Sequence, residues 1–338
     1  MNLQLLFANP WIAAITIIVG FYLLVKGADW LVNGASAIAT RMGVSDLVIG
    51  LTVVALGTSM PEFIVSTVAA FNHNTEIAIT NILGSNSINT FIILGLAAII
   101  YPLSSQRSCR QFDMPWSLLA GILVLLFATY THPYEFNHTH WGYFSLQSGF
   151  ISAIGGCVLL FCFLIFMWHS LHVAKSLPDK KSENKVTMRF VYAFLLIIVG
   201  LIALVIGGEL IVRSATSIAH QLGVSDAIIG LTIVALGTSL PELATSCIAA
   251  YRHNTDIAIG NVIGSNIFNI FFILGTSALI HPLPIYPGLW LDAAMVTLSS
   301  ILVMLFIYAN PKHEIKRWHG ILMVVIYAIY LTYRIETM

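Results

Sequence analysis

Charge is scarce in this sequence. Asp, Glu, Lys and Arg make up 9% of its 338 residues, too few to coat a water-soluble globule of that size. Cysteine is scarce too: Cys109, Cys157, Cys162 and Cys247 stand apart with no CxxC spacing. That argues against a disulfide framework or a zinc site and leaves them as packing residues. No Lys or Arg precedes the first apolar run in "MNLQLLFANP", so the basic start of a cleaved signal peptide is missing and the first helix is expected to be retained. HExxH, nucleophile-elbow and P-loop motifs are absent, which weakens enzymatic readings. No cofactor, nucleic-acid partner or obligatory protein partner is expected.

What is abundant is hydrocarbon. The chain is 58% apolar, with a mean hydropathy of +0.89. Runs near the roughly 20 residues that a spanning helix needs recur through its length. Their continuity favours helices over barrel strands, whose shorter segments alternate in polarity. The expected fold class is an all-α polytopic membrane protein with ten transmembrane helices. They fall near 11–33, 46–71, 76–101, 114–131, 146–172, 190–213, 226–251, 256–281, 288–309 and 318–334.

The chain is an internal duplication. Residues 45–95 align without a gap on 225–275 at an offset of 180, with 32 of 51 pairs identical. The match reaches back through "VKGADWLVNGAS" (25–36) against "VIGGELIVRSAT" (205–216), and forward to "YPL" (101–103) against "HPL" (281–283). Five helices per half is an odd number, so the second copy enters the membrane from the opposite side and the repeats are inverted. The expected organisation is an N-terminal repeat over 1–173, a cytoplasmic linker over 174–189 and a C-terminal repeat over 190–338. With the linker cytoplasmic, Arg41, Arg107, Arg110, Lys175, Lys180, Lys181, Lys185, Arg189, Arg252, Lys312, Lys316 and Arg317 all fall inside. Only Arg213 and Arg334 fall outside, while Lys26 sits within a helix. The positive-inside rule thus puts both termini outside. Inverted repeats with broken helices meeting near the midplane are the architecture of a secondary transporter.

Each copy carries a signature that ordinary lipid-buried helix would not tolerate: "GTSMPE" at 57–62 and "GTSLPE" at 237–242. Pro61 and Pro241 have no N–H to offer the carbonyls of Gly57 and Gly237, so each helix is expected to open there and free carbonyls near Ala55 and Thr58, and near Ala235 and Thr238. Such carbonyls are tolerated at membrane depth only where they line a cavity or bind something. Beside them stand the hydroxyls of Thr58, Ser59, Thr238 and Ser239 and the carboxylates of Glu62 and Glu242. The following helices add "GSNSIN" (84–89) and "GSNIFN" (264–269), in which Ser85 with Asn89, and Ser265 with Asn269, share one helical face. Carboxylate, hydroxyl, amide and carbonyl oxygens without His or Cys describe a site for hard cations such as Ca²⁺, which takes six to eight oxygens. Two ionised glutamates would be neutralised by one Ca²⁺ or two Na⁺, and a third Na⁺ would make exchange electrogenic.

Both halves resemble the alpha-repeats of the cation/Ca²⁺ exchanger superfamily, in particular its sodium/calcium exchanger branch, through the paired GTS-x-PE and GSN-x-x-N motifs. The resemblance covers nearly the whole chain. It implies ten helices, antiport of Na⁺ against Ca²⁺, and ion sites between helices 2, 3, 7 and 8, with the first and sixth helices, long and tilted, sliding across that core. Carried over by motif, Glu62 and Glu242 are implied as shared Ca²⁺ ligands with the backbone carbonyls of Thr58 and Thr238. Ala55, Ser59, Ser85, Ala235, Thr238, Ser239 and Ser265 are implied in flanking Na⁺ sites, and Asn89 and Asn269 at the centre. Some relatives carry Asp where this chain has Asn269, an acid associated with potassium dependence or a protonatable centre. Asn in both halves removes that charge and speaks against K⁺ cotransport. The short linker has no room for the regulatory domains of animal exchangers, which points to a prokaryotic cell membrane.

Other polar residues have simpler readings. Asn81, Asn86, Asn261 and Asn266 are expected to brace the broken helices, Asp29 and Glu209 to anchor the first and sixth helices, and Asp292 to be interfacial or paired. His73 and His253 read as surface turn residues, and Ser87 has no assigned role. Two alternatives to Na⁺/Ca²⁺ antiport stay open: Ca²⁺/H⁺ exchange with protons on the glutamates, and a cation channel with a carboxylate ring.

Overall fold

Asn9 starts the first helix, its side chain accepting from the Trp11 N–H at 3.0 Å, with proline in the first turn where a missing N–H costs nothing. No breaker follows until Gly43, whose φ of 66° ends the helix in the left-handed region. The computed structural model describes residues 9–129, 150–176, 188–223, 235–286 and 288–337. In it α1 (Pro10–Met42) is followed by α2 (Asp46–Thr58), α3 (Met60–Phe71), α4 (Thr75–Ile100), α5 (Cys109–Ala128) and α6 (Ala153–Ser176). The second half holds α7 (Phe190–Gln221), α8 (Ala235–Thr238), α9 (Leu240–Tyr251), α10 (Thr255–Ile280), α11 (Leu289–Tyr308) and α12 (Arg317–Thr337).

Eight of these helices are long and apolar enough to span a bilayer, and α2 with α3 forms a ninth span bent by 48°. The tenth expected span, 226–251, begins outside the described residues. Its described part, α8 and α9, breaks at Ser239 as α2 and α3 break at Ser59. The fold is therefore nearly all helical, as expected. Four two-residue strands are the exception: β1 (Leu103–Ser104) pairs with β4 (Glu314–Ile315), and β2 (Phe150–Ile151) with β3 (Leu283–Pro284). Each pair ties the strand after α4 or α10 to the strand before the last helix of the opposite half.

The first and sixth spans are long, as the family resemblance implies, but they run past the ends at 33 and 213 drawn from the sequence: Gly34 sits inside α1, and the helices continue to Met42 and Gln221. At 1.5 Å per residue each is about 50 Å long, well beyond a hydrocarbon core of roughly 30 Å, so both must tilt. They lie on the outside. Over their most apolar stretches α1 and α7 are 28% and 33% buried, against 78% and 94% for α4 and α10. The core is thus α4 and α10 with the broken helices around them.

α1 and α7 cross antiparallel through a seven-residue ladder of small residues. A Cβ on Gly20 would meet the carbonyl of Gly207 at 2.8 Å, one on Gly27 the carbonyl of Gly200 at 2.8 Å, and one on Gly34 the carbonyl of Ala193 at 2.6 Å. Backbones this close need glycine, as small residues in membrane helices allow.

The turns between paired helices are reciprocal too. His73 and His253 adopt φ near 60° and 61°, and their rings pack on His281 and Tyr101, respectively, in the opposite half. Polar ties also reach the outer helices. Arg252 reaches both Asp29 and Asn33 of α1, and Asn254 Nδ2 donates to Ser36 Oγ at 2.9 Å and Asp46 Oδ2 at 2.7 Å. Glu209 on α7 pairs with Arg213 one turn along, at 2.5 Å. Asp292 is paired: Tyr286, Tyr330 and Arg334 all bond its carboxylate.

Neighbouring glycines of α7 separate close packing from helix propensity. Gly207→Ala drives a Cβ to 2.7 Å from the carbonyl of Gly20, whereas at Gly208 the nearest atom lies at 3.7 Å. Thermal unfolding of detergent-purified protein should show Gly207→Ala destabilised by about 1–3 kcal/mol, and Gly208→Ala unchanged or stabilised by up to about 1 kcal/mol. Equal behaviour of the two would contradict the close crossing.

Candidate cation site

The breaks in α2/α3 and α8/α9 place a glutamate in the first turn of a new helix. Ser59 and Ser239 sit at φ −83°, ψ 8° and φ −89°, ψ 6°, off regular helical angles, although the Ser59 carbonyl still accepts from the Phe63 N–H and the Ser239 carbonyl from the Leu243 N–H. Glu62 and Glu242 follow at the N-termini of α3 and α9, where the unpaired N–H groups favour an anion. Both carboxylates are fully buried.

Their partners come from both halves. Ser239 Oγ donates to Glu62 Oε1 at 3.0 Å, and Ser59 Oγ donates to Glu242 Oε1 at 2.8 Å. Within each half, Ser85 Oγ reaches Glu62 Oε1 and Ser265 Oγ reaches Glu242 Oε1, each at 3.4 Å. One oxygen of each glutamate is therefore held by two hydroxyls. The other oxygen, Oε2 in both cases, is buried with no hydrogen-bond partner among the described residues. The same is true of Asn269 Oδ1 and of both side-chain polar atoms of Asn89. Buried polar atoms are almost always satisfied, and leaving carboxylate oxygens unpaired at membrane depth is costly. Four matched oxygens, two carboxylate and two amide, are what a hard cation would satisfy.

The remaining predicted residues divide. Thr58 is buried, but its hydroxyl is engaged, donating to Asn261 Oδ1 at 3.1 Å. Thr238 is half-buried. Ala55 is buried, and its carbonyl is not freed by the break: the Ser59 N–H donates to it at 3.0 Å. That corrects the expectation, because Pro61 removes only the bond to Gly57, and Ser59, two residues earlier, can still close the preceding turn. Ala55 O also lies 3.4 Å from the Thr58 hydroxyl, whose shorter bond goes to Asn261 Oδ1. Ala235 is the first described residue of α8, and its side chain lies outside the described set.

The bracing role fits two of the asparagines closely. Asn81 Nδ2 donates to Ser66 Oγ at 2.9 Å and Asn261 Nδ2 to Ser246 Oγ at 2.9 Å, and both also reach the backbone carbonyl of their own glutamate, at 3.5 and 3.3 Å. These bonds clamp α3 to α4 and α9 to α10. Ser66 and Ser246 were missed in the sequence, although their identity in both repeats and position one turn after each glutamate were readable. Ser87 is buried with its hydroxyl unpartnered among the described residues, and nothing in the structure explains it. Each GSN helix passes through a widened π stretch, Ile88–Leu94 and Phe268–Leu274, a feature common at functional sites.

Two inverted halves, each supplying a broken helix and a buried carboxylate to one central site, define a secondary transporter for cations. Comparison with known proteins narrows the class. The family described as sodium/calcium exchanger protein matches residues 12–172 and 192–336, and the chain belongs to that family. It is 32% identical to the sodium/calcium exchanger MaX1 of Methanosarcina acetivorans over 93% of this chain and 96% of the relative. It is 36% identical to an uncharacterized membrane protein of Methanocaldococcus jannaschii over 92% of this chain and 94% of that one. Among solved structures, the sodium-calcium exchanger NCX_Mj soaked with 10 mM Na⁺ superimposes with a TM-score of 0.80 at 34% identity, covering 96% of this chain and 99% of that chain.

The site makes opposite demands on binding and on ion-free stability. Glu62→Gln or Glu242→Gln keeps an oxygen for the serine hydroxyls but removes a buried charge. Ca²⁺ affinity is expected to fall roughly 100-fold or more in either variant, while the ion-free protein melts at the same temperature or higher. Thermal shift with and without Ca²⁺ reads both effects. Normal Ca²⁺ stabilisation in either variant would break the assignment.

Proposed function

We propose that this protein is a secondary active antiporter that exchanges Na⁺ for Ca²⁺ by alternating access, with Glu62 and Glu242 as shared Ca²⁺ ligands. The observation that carries the reading is the crossed pair of bonds, Ser59 to Glu242 and Ser239 to Glu62. Each glutamate is held from the opposite half as well as from its own, which supports one ion engaging both. Ca²⁺ would neutralise the two carboxylates, using their free Oε2 atoms, the amide oxygens of Asn89 and Asn269 and the carbonyls of Thr58 and Thr238. Na⁺ would compete through the same carboxylates, the hydroxyls of Ser59, Ser85, Ser239 and Ser265 and the carbonyls of Ala55 and Ala235. Membership of the sodium/calcium exchanger family supports this choice of ions.

Exchange without leak follows from the same burial. Two bare carboxylates in low dielectric are costly, so an empty carrier resists the passage that a loaded one makes. Three Na⁺ per Ca²⁺ would move one net charge, worth roughly 2.3 kcal/mol per 100 mV. The charge distribution supports a cytoplasmic linker at 174–189 between repeats over 1–173 and 190–338, and both termini outside a prokaryotic cell membrane.

Uptake of radioactive Ca²⁺ into proteoliposomes tests the reading against its rivals. Vesicles loaded with Na⁺ and diluted into Na⁺-free medium should accumulate Ca²⁺, faster with the interior made positive, while K⁺ loading or an acid interior alone should not drive uptake. Uptake driven equally by a proton gradient would favour Ca²⁺/H⁺ exchange, and uptake independent of any counter-ion would favour a channel.

A further inference from the structure

The two halves of the site are not equivalent, and the difference traces to one position. Residue 90 in α4 is Thr and its repeat counterpart, residue 270 in α10, is Ile; both are buried. Asn266 Nδ2 donates to Thr90 Oγ1 at 2.7 Å. By the pseudo-two-fold, Asn86 should make the matching bond to residue 270, but isoleucine has no acceptor. The Asn86 Nδ2 instead donates to the backbone carbonyl of Asn266 at 3.1 Å.

The consequence reaches the central amides. With its NH₂ on that carbonyl, Asn86 presents Oδ1 inward, and Asn269 Nδ2 donates to it at 3.0 Å. Asn269 is thereby held with its own Oδ1 unpartnered. On the other side Thr90 holds the Asn266 amide at a small, mainly apolar cavity that both residues line with Ser117, Ser300, Leu94 and Met114. Asn266 Oδ1 is left without a partner, and neither polar atom of Asn89 is bonded among the described residues. One central asparagine is fixed and the other is free.

We propose that Thr90 is a positioning residue that makes the cation site asymmetric, holding the Asn266 amide away from Asn89 so that Asn269 is a fixed oxygen donor and Asn89 a free one. Thr90 does not itself touch the ion. The proposal rests on the cation-site reading above. Its logic is reversible: removing the hydroxyl at 90 releases Asn266 to pair with Asn89, whereas adding one at 270 draws Asn86 away from Asn269. A fixed donor binds more tightly because less freedom is lost on binding.

The test is equilibrium Ca²⁺ and Na⁺ binding to detergent-purified full-length protein, with the melting temperature of each variant as a control on folding. Thr90→Val should tighten Ca²⁺ binding about threefold or more and Ile270→Thr should weaken it by a similar factor, each on the order of one weak hydrogen-bond contribution. Thr90→Ser should bind as wild type. The double variant Thr90→Ile with Ile270→Thr should return towards wild type, because it exchanges the roles of the halves. Shifts in the same direction for the two single variants, no shift in either, or a double variant worse than both would overturn the proposal while leaving the cation site standing. Wild-type protein that binds neither Ca²⁺ nor Na⁺ would overturn the cation site and this proposal together.

Discussion

Everything in this molecule is arranged around two carboxylates that have been taken out of water and given only half of what they need. Each glutamate has one oxygen held by two serine hydroxyls and one oxygen without a partner among the described residues. At membrane depth that state is costly, and a cation would relieve it. The break at each proline, the N-terminus of the helix that follows it and the asparagine clamp behind it all fix where those carboxylates stand. The crossing of the serine bonds adds a mechanical consequence: the two halves are joined at the site itself, so an ion bound there would stiffen a unit that spans both repeats.

The periphery is built on a different rule. α4 and α10 are almost wholly enclosed, while α1 and α7 face lipid over most of their surface and touch each other through glycine and alanine backbones. Smooth contacts of that kind lack the interlocking side chains that hold core helices in register. Arg252 and Asn254 tie α1 to the α9–α10 turn, and Glu209 of α7 pairs along its own helix with Arg213. The symmetry of the sequence holds for the two glutamates and their serine partners, and is broken beside them at Thr90 and Ile270 and on the outer helices.

Much of this was legible in the sequence. The duplication, the inversion and the membrane solvent follow from counting, and the paired GTS-x-PE and GSN-x-x-N motifs located the buried oxygens, because a charge at membrane depth needs a reason that few other sequences supply. What stayed hidden was geometry that depends on the partner half. Reading Pro61 as freeing the carbonyl of Ala55 failed because Ser59 can close the turn before the break. Crossing of the serine bonds could not be read from either repeat alone. The ends of α1 and α7 were set too early, at 33 and 213, although the helices run on to Met42 and Gln221. The mismatch of Thr90 with Ile270 was visible in the alignment, but its meaning appears only when Asn266 is found beside the hydroxyl.

The central claim is that two inverted halves make one site. The most direct measurement is the stoichiometry of Ca²⁺ at saturation on purified protein, for wild type and for each Glu→Gln variant. One Ca²⁺ per chain, displaced by Na⁺ and lost when either Glu62 or Glu242 is replaced, is the predicted result. Two Ca²⁺ per chain, with each variant retaining one, would show that the halves bind independently and would contradict the account.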